Sequence, residues 1–230
     1  MNTIGKRYHP GPYEYAREWD FLIDFRTDSD AVSSVLPDVL EPDPDSRGWL
    51  RVSHHKTSSF GPYIGAYVGV YALHDGQPVR YVASGIKTDF MGTIAAREIW
   101  GLPYGLGSVD AGWQGSTFHC SIFGHSGAQN AEVRLQTTSR QKKSRPGVAA
   151  LYSSELRDHC GNLMKTQLLK AQNAYDLGGA DAWDASASLQ LCQGTAIDDW
   201  SVIPVREVVY AEYRTGGNSS LGMANVIAEW

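Results

Sequence analysis

A chain of 230 residues suffices for one large domain or two small ones. Its formal charge of −5 at pH 7 gives no electrostatic reason to expect nucleic acid or an anionic membrane as a partner. Cys120, Cys160 and Cys192 are far apart, odd in number and without CxxC spacing, which fits a reduced cytoplasmic compartment and offers no zinc motif. No apolar run approaches the ~18 residues needed to span a bilayer, and the opening MNTIGKRYHPGPYEY has no signal-peptide core.

Residues 1–16 read as an irregular entry. In EWDFLIDFR, Trp19, Phe21, Ile23 and Phe25 alternate with polar residues, which predicts a strand over 18–26. Thr27 and Asp30 resemble a capping box ahead of a short helix over 29–36, stopped by Pro37. EPDPDSRG is turn-rich. Residues 49–73 hold two strands, and the glycines and tyrosines of YIGAYVGVYAL suggest a strand that bends or admits close approach. His74-Asp75-Gly76 reads as a turn into a return strand over 78–86.

The stretch MGTIAAREIWGLPYGL, residues 91–106, is the organising feature. Met91, Ile94, Ala95, Glu98 and Leu102 fall on one helical face, Gly101 is placed as the C-cap and Pro103 forbids continuation. Tyr104 leaves the turn. Glu98 is a carboxylate on an apolar stripe near a helix C-terminus, where the macrodipole disfavours it, so it needs compensation. Further strands are predicted over 116–123, 131–137, 148–156, 163–172 and 204–213. The basic segment 139–147 and the segment 173–186 read as loops, and 219–230 as a closing helix. Many strands, few helices and no clear linker favour one mainly β domain over 1–230.

AREIWGLPYGL resembles the signature of the acetoacetate decarboxylase family, roughly G-R-E-x-x-G-x-P-K-K-L. GPYEYAREWDFLIDFRTDSDA, AWDASASLQL and PVREVV resemble other family segments, so the similarity covers nearly the whole chain. It implies an α+β, mainly β fold: an antiparallel β-barrel or double-cone with a few short helices and an interior funnel. It also implies oligomers, a small-molecule substrate, and no metal or organic cofactor. In the family the first lysine after the proline forms a Schiff base with a β-keto acid, and the second lowers its pKa. Tyr104 and Gly105 stand there in this chain and neither forms an imine. By spacing, Arg51 and Gly65 stand for two family glutamates, while Arg17 matches an arginine that binds the substrate carboxylate. So many changes inside an otherwise spared frame fit a site rebuilt for other chemistry.

Each candidate has a plain structural reading beside the functional one. Arg17 is a carboxylate anchor or a surface arginine paired with Glu14 or Glu18. Glu98 is a general acid–base group or a structural carboxylate. Tyr104 donates to a developing oxyanion or fills the vacated lysine space. Arg51 holds an anionic substrate or faces outward. Of His54 and His55 only one can face inward, and by the resemblance His55 borders the funnel. Tyr63 and Trp100 suit either an apolar ligand or a core. Lys87 reads as solvated, or as a migrated amine. These readings lead to three functions: an imine-independent lyase, isomerase or cyclase acting on a keto acid or polyketide-like compound; a non-catalytic small-molecule binder; and a β-keto acid decarboxylase with a relocated amine.

Overall fold

The computed structural model describes residues 8, 11–140, 148–157, 160–176 and 180–230. Among these residues strands dominate and two short α-helices accompany them. In chain order the first half holds β1 (Tyr13–Arg26), α1 (Ser29–Val35), β2 (Glu41–Pro42), β3 (Arg47–Ser58), β4 (Tyr63–His74), β5 (Gln77–Lys87), α2 (Phe90–Trp100), β6 (Tyr104–Leu106) and β7 (Ser108–Gln114). The second half holds β8 (Thr117–Phe123), β9 (Gln129–Arg140), β10 (Ala150–Arg157), β11 (Leu163–Lys170), β12 (Asn173–Asp176), β13 (Asp181–Leu191), β14 (Glu207–Thr215), β15 (Asn218–Leu221) and β16 (Asn225–Glu229). One mixed sheet runs β16-β11-β10-β5-β4-β3-β1-β14-β13-β9-β8-β7. Its pairings are antiparallel except β5 with β10 and β5 with β6.

Both faces of the central strands are buried, and they bury different chemistry. Phe21, Ile23 and Phe25 join Leu50, Val52, Phe118 and Val133 in the main apolar core. The opposite face collects Tyr13, Tyr15, Leu22, Trp49, Tyr63 and Tyr71 under α2. Two β-bulges decide which residues reach that second face. Arg17 pairs with His55 but Trp19 with His54, so Glu18 is an extra residue in β1. Ser84 pairs with Val68 but Val82 with Gly69, so Ala83 is extra in β5. Each bulge reverses the alternation beyond it.

The turn at Asp75-Gly76 has φ of 51° and 70°, the left-handed pair that a two-residue hairpin requires. Gly101 caps α2 at φ 66°, its N–H reaching the carbonyls of Ala96 and Arg97. Other expectations are corrected. The segment 219–230 forms β15 and β16, which pair with β1, β12 and β11 rather than coil into a helix. Pairing outweighs propensity in such short polar stretches. The segment 173–186 carries β12 and the first half of β13, the latter held by β14 at its start and by β9 from Trp183 onward despite its Ser, Ala and Asp content. Strand β7 went unpredicted. There is no capping box: Asp28 is the N-cap of α1, its carboxylate takes both prongs of Arg206 at 2.8 and 2.6 Å, and no side chain caps the helix. Most of the basic segment 139–147 lies outside the described residues. Among the described residues no helix is long and apolar enough to cross a membrane.

Candidate active site

The tyrosine-bearing face encloses a cavity of about 160 Å³. Its floor follows strand alternation. Trp49, Arg51, Ser53 and His55 of β3 line it at every second position. On β4 the same rule gives Tyr63, Gly65, Tyr67, Gly69 and Tyr71, of which Tyr63 and Tyr67 line the cavity. The glycines make room for rings. A Cβ on Gly65 would sit 2.0 Å from the Tyr67 hydroxyl oxygen, and one on Gly85 would sit 2.6 Å from the Tyr104 ring. Tyr67 and Tyr104 rings lie 5.0 Å apart between centroids. Tyr67 thus occupies the space beside Gly65, the position matched to a family glutamate.

Lys87 is the residue that sequence reasoning misplaced. It ends β5, hydrogen-bonded in register between Gly65 of β4 and Leu106 of β6. Counting by simple alternation from Tyr81 sends its side chain to the main core face. The Ala83 bulge turns it into the cavity instead. It is 4 % exposed, so the solvated reading is corrected. Its Nζ donates to the Gly92 carbonyl at 3.3 Å and lies 4.5 Å from the Tyr63 ring centroid and 5.7 Å from that of Tyr104. Burial pulls its pKa from 10.5 down to about 7, against a smaller upward pull from Asp89. An amine half-deprotonated near neutrality therefore stands beside the tyrosine that replaces the family lysine.

Arg17 and Arg51 both line the cavity and share one buried carboxylate. Arg17 Nη1 reaches Asp20 Oδ1 at 3.4 Å, and Arg51 Nε and Nη2 reach Asp20 Oδ2 at 3.1 and 2.7 Å. Burial alone would raise the Asp20 pKa, but Arg51, Arg214 and Arg17 outweigh it and hold it below the usual range. Two guanidiniums thus converge on one carboxylate at this end of the cavity.

His55 faces inward while His54 turns away to Glu18 at 2.8 Å. His55 packs on Tyr63 and Tyr15 at 4.7 and 5.3 Å between centroids. Burial first, then Lys87, Arg51 and Arg17, drive its pKa down to about 3, so it is a neutral imidazole at physiological pH. Its Nδ1 is buried with no hydrogen-bond partner among the described residues. Trp100 lines the cavity wall and donates from Nε1 to the Gly222 carbonyl at 2.8 Å.

Glu98 is placed elsewhere. The buried residues of α2 are Gly92, Thr93, Ala95, Ala96 and Trp100, whereas Met91 and Glu98 are exposed. The helix packs through its small residues, nearly half a turn from the stripe that Met91, Ile94 and Glu98 suggest. Glu98 accepts from the Tyr8 hydroxyl at 2.9 Å outside the cavity. Of the sequence candidates, the fold brings Tyr104, His55, Arg17, Arg51, Tyr63 and Trp100 together and leaves out Glu98. It also brings in Lys87, which the sequence offered as a migrated amine, and adds Tyr15, Tyr67, Arg80 and Tyr152. The Tyr-Gly-Tyr-Gly-Tyr spacing of β4 was a readable signal for Tyr67.

The structure resembles the acetoacetate decarboxylase of Legionella pneumophila, with a TM-score of 0.81 at 20 % identity over 100 % of this chain and 91 % of that one. It also resembles the enduracididine biosynthesis enzyme MppR, solved with the condensation product of pyruvate and imidazole 4-carboxaldehyde, with a TM-score of 0.82 at 14 % identity over 99 % and 94 % of the two chains. In sequence, the acetoacetate decarboxylase of Ralstonia nicotianae is 25 % identical over 241 aligned residues, covering 100 % of this chain and 94 % of its own length. The family model for acetoacetate decarboxylase matches residues 5–229, and the chain belongs to that family.

Proposed function

We propose that the protein is an imine-forming enzyme that acts on an oxo acid, with the catalytic amine carried by Lys87 instead of by a lysine after the α2 proline. The single observation behind this reading is the Lys87 amine: buried in the cavity, beside Tyr104, with its pKa pulled to about 7. A neutral amine attacks a carbonyl carbon, and loss of water from the carbinolamine gives the imine. Once protonated, the imine nitrogen accepts the electron pair released when a bond at the adjacent carbon breaks. That bond is C–C in a 3-oxo acid, which loses carbon dioxide, or C–H in a 2-oxo acid, which yields an enamine for condensation or dehydration.

The other groups take consistent parts. Arg17 and Arg51 offer positive charge to the substrate carboxylate. The Tyr104 hydroxyl is a donor for the carbonyl oxygen as it leaves as water. His55, a neutral imidazole, adds no positive charge that would compete with protonation of the imine. MppR, whose complex contains a condensation product of pyruvate, has the same fold, so 2-oxo acids belong in the first substrate panel beside acetoacetate. An imine-free acid–base reaction through Tyr104 is the second reading, favoured by the place of Tyr104 in the cavity wall.

The test is borohydride trapping with pyruvate and acetoacetate, followed by tryptic peptide mapping. An adduct on Lys87 blocks cleavage there and yields one modified peptide spanning residues 81–97. An adduct on another lysine, or turnover that survives Lys87→Met, would overturn the imine reading and leave the acid–base one.

A further inference from the structure

Arg80 lines the same cavity as Lys87, from the other end of β5. The two are an odd number of residues apart, and an unbroken strand would send them to opposite faces. The Ala83 bulge brings them to one face. The Arg80 side chain is held in place by a relay. Its Nε donates to the Tyr71 hydroxyl at 3.1 Å, and that hydroxyl donates to Asp24 Oδ1 at 2.9 Å. Its guanidinium lies 5.4 Å from the Tyr71 ring centroid and 5.9 Å from that of Trp49.

This leaves the two terminal amino groups of Arg80 without an acceptor among the described residues. The neighbouring arginines differ. Arg47 is clamped by Asp43, Arg51 by Asp20 and Arg214 by Glu212. Asp24, at the far end of the relay, accepts from the Tyr71 hydroxyl. Among the described residues lining the cavity there is no Asp or Glu, while Arg17, Arg51, Arg80 and Lys87 all line it. An arginine fixed through Nε, with its fork free and its wall free of acids, is built to take an anion.

We infer that Arg80 anchors a second anionic group, so that the substrate is an oxo acid with a carboxylate at each end. This rests on reading the Lys87 site as an oxo-acid site. One carboxylate meets Arg17 and Arg51 beside the reacting carbonyl. The other lies between Trp49 and the Arg80 fork.

Calorimetric titration with unreactive probes tests this without any imine chemistry. Succinate, glutarate and adipate are compared with the monoacids of equal chain length. The best-fitting diacid is expected to bind about tenfold or more tightly than its monoacid, the order given by charge-assisted hydrogen bonds. Arg80→Gln should collapse that ratio towards one, and Arg80→Lys should restore part of it. Equal affinities in the unmodified protein would overturn the inference, as would an undiminished ratio in Arg80→Gln. A phosphonate analogue that binds more than tenfold tighter than every diacid would overturn the carboxylate assignment. Because the probes lack a carbonyl, a failed borohydride experiment would sink the imine reading and leave these results standing.

Discussion

Arg17 Nη1 lies 3.4 Å from Asp20 Oδ1, three residues further along the same strand. In an unbroken strand, positions three apart point to opposite faces. The extra residue Glu18 turns Asp20 back to the side of Arg17, where it also meets Arg51. A local irregularity in β1 therefore sets the charge of the cavity.

Replacing Asp20 removes the buried carboxylate that Arg17 and Arg51 share. Asp20→Asn is expected to destabilise the fold by about 3–5 kcal/mol, the usual cost of breaking a buried pair from one side. The pH dependence has a definite sign. The folded pKa lies below the unfolded value of 3.8, so the stabilisation is present above that value and is lost as pH falls through the folded one. Urea denaturation at several pH values should show a shallower acid-side slope in Asp20→Asn than in the parent, the remainder coming from Asp28, Asp199 and Glu229.

Lys87 gives the opposite case. Its folded value of about 7 lies below 10.5, so the unfolded chain binds the extra proton between those two values and stability rises with pH across that window. Lys87→Met should abolish that slope, raise the melting temperature by several degrees below pH 7, and remove borohydride trapping. The rate of imine formation at low oxo acid concentration should rise with pH and level off near 7, whereas an ordinary lysine would keep gaining to beyond pH 10.

Restoring the family carboxylate at Gly65 should fail on its own. A Cβ there meets the Tyr67 hydroxyl oxygen at 2.0 Å, so Gly65→Glu is expected to cost about 1–3 kcal/mol by overpacking. The double variant Gly65→Glu/Tyr67→Ala should recover part of that loss. A double-mutant cycle by thermal melting measures the coupling, and additivity of the two changes would show that the ring and the vacancy are unrelated.

Glu98 and Tyr104 make a contrasting pair within one motif. Glu98 is exposed and bonded to Tyr8, whereas Tyr104 lines the cavity. Glu98→Gln should change kcat/KM on an identified oxo acid by less than about threefold. Tyr104→Phe should lower it roughly 10²-fold or more if its hydroxyl assists loss of water from the carbinolamine.

The sequence told most where periodicity was unbroken. The strand around Phe21 to Phe25, the hairpin at Asp75 and the cap at Gly101 all follow from local rules, whereas alternation said only that one of His54 and His55 faces inward and the family resemblance chose His55. It told least where one extra residue changed the count. Lys87 read as solvated because no feature of VRYVASGIK marks Ala83 as a bulge; only pairing with Val68 and Gly69 reveals it. Glu98 was misread because Gly92, Ala95 and Ala96 contribute little hydrophobicity, yet they let the helix approach the sheet. Strands β13, β15 and β16 carry little propensity of their own and depend on partners that are distant in sequence.

The register of Lys87 between Gly65 and Leu106 has one more consequence. Tyr104 and Lys87 sit on adjacent, parallel-paired strands whose backbones are fixed by the sheet, so their side chains serve the same volume from two neighbouring mounts. A reactive group can then be handed sideways from one strand to the next by two substitutions, without redrawing the chain trace. Divergence of this kind leaves the fold signature intact while the motif that names the chemistry disappears from its usual line of sequence.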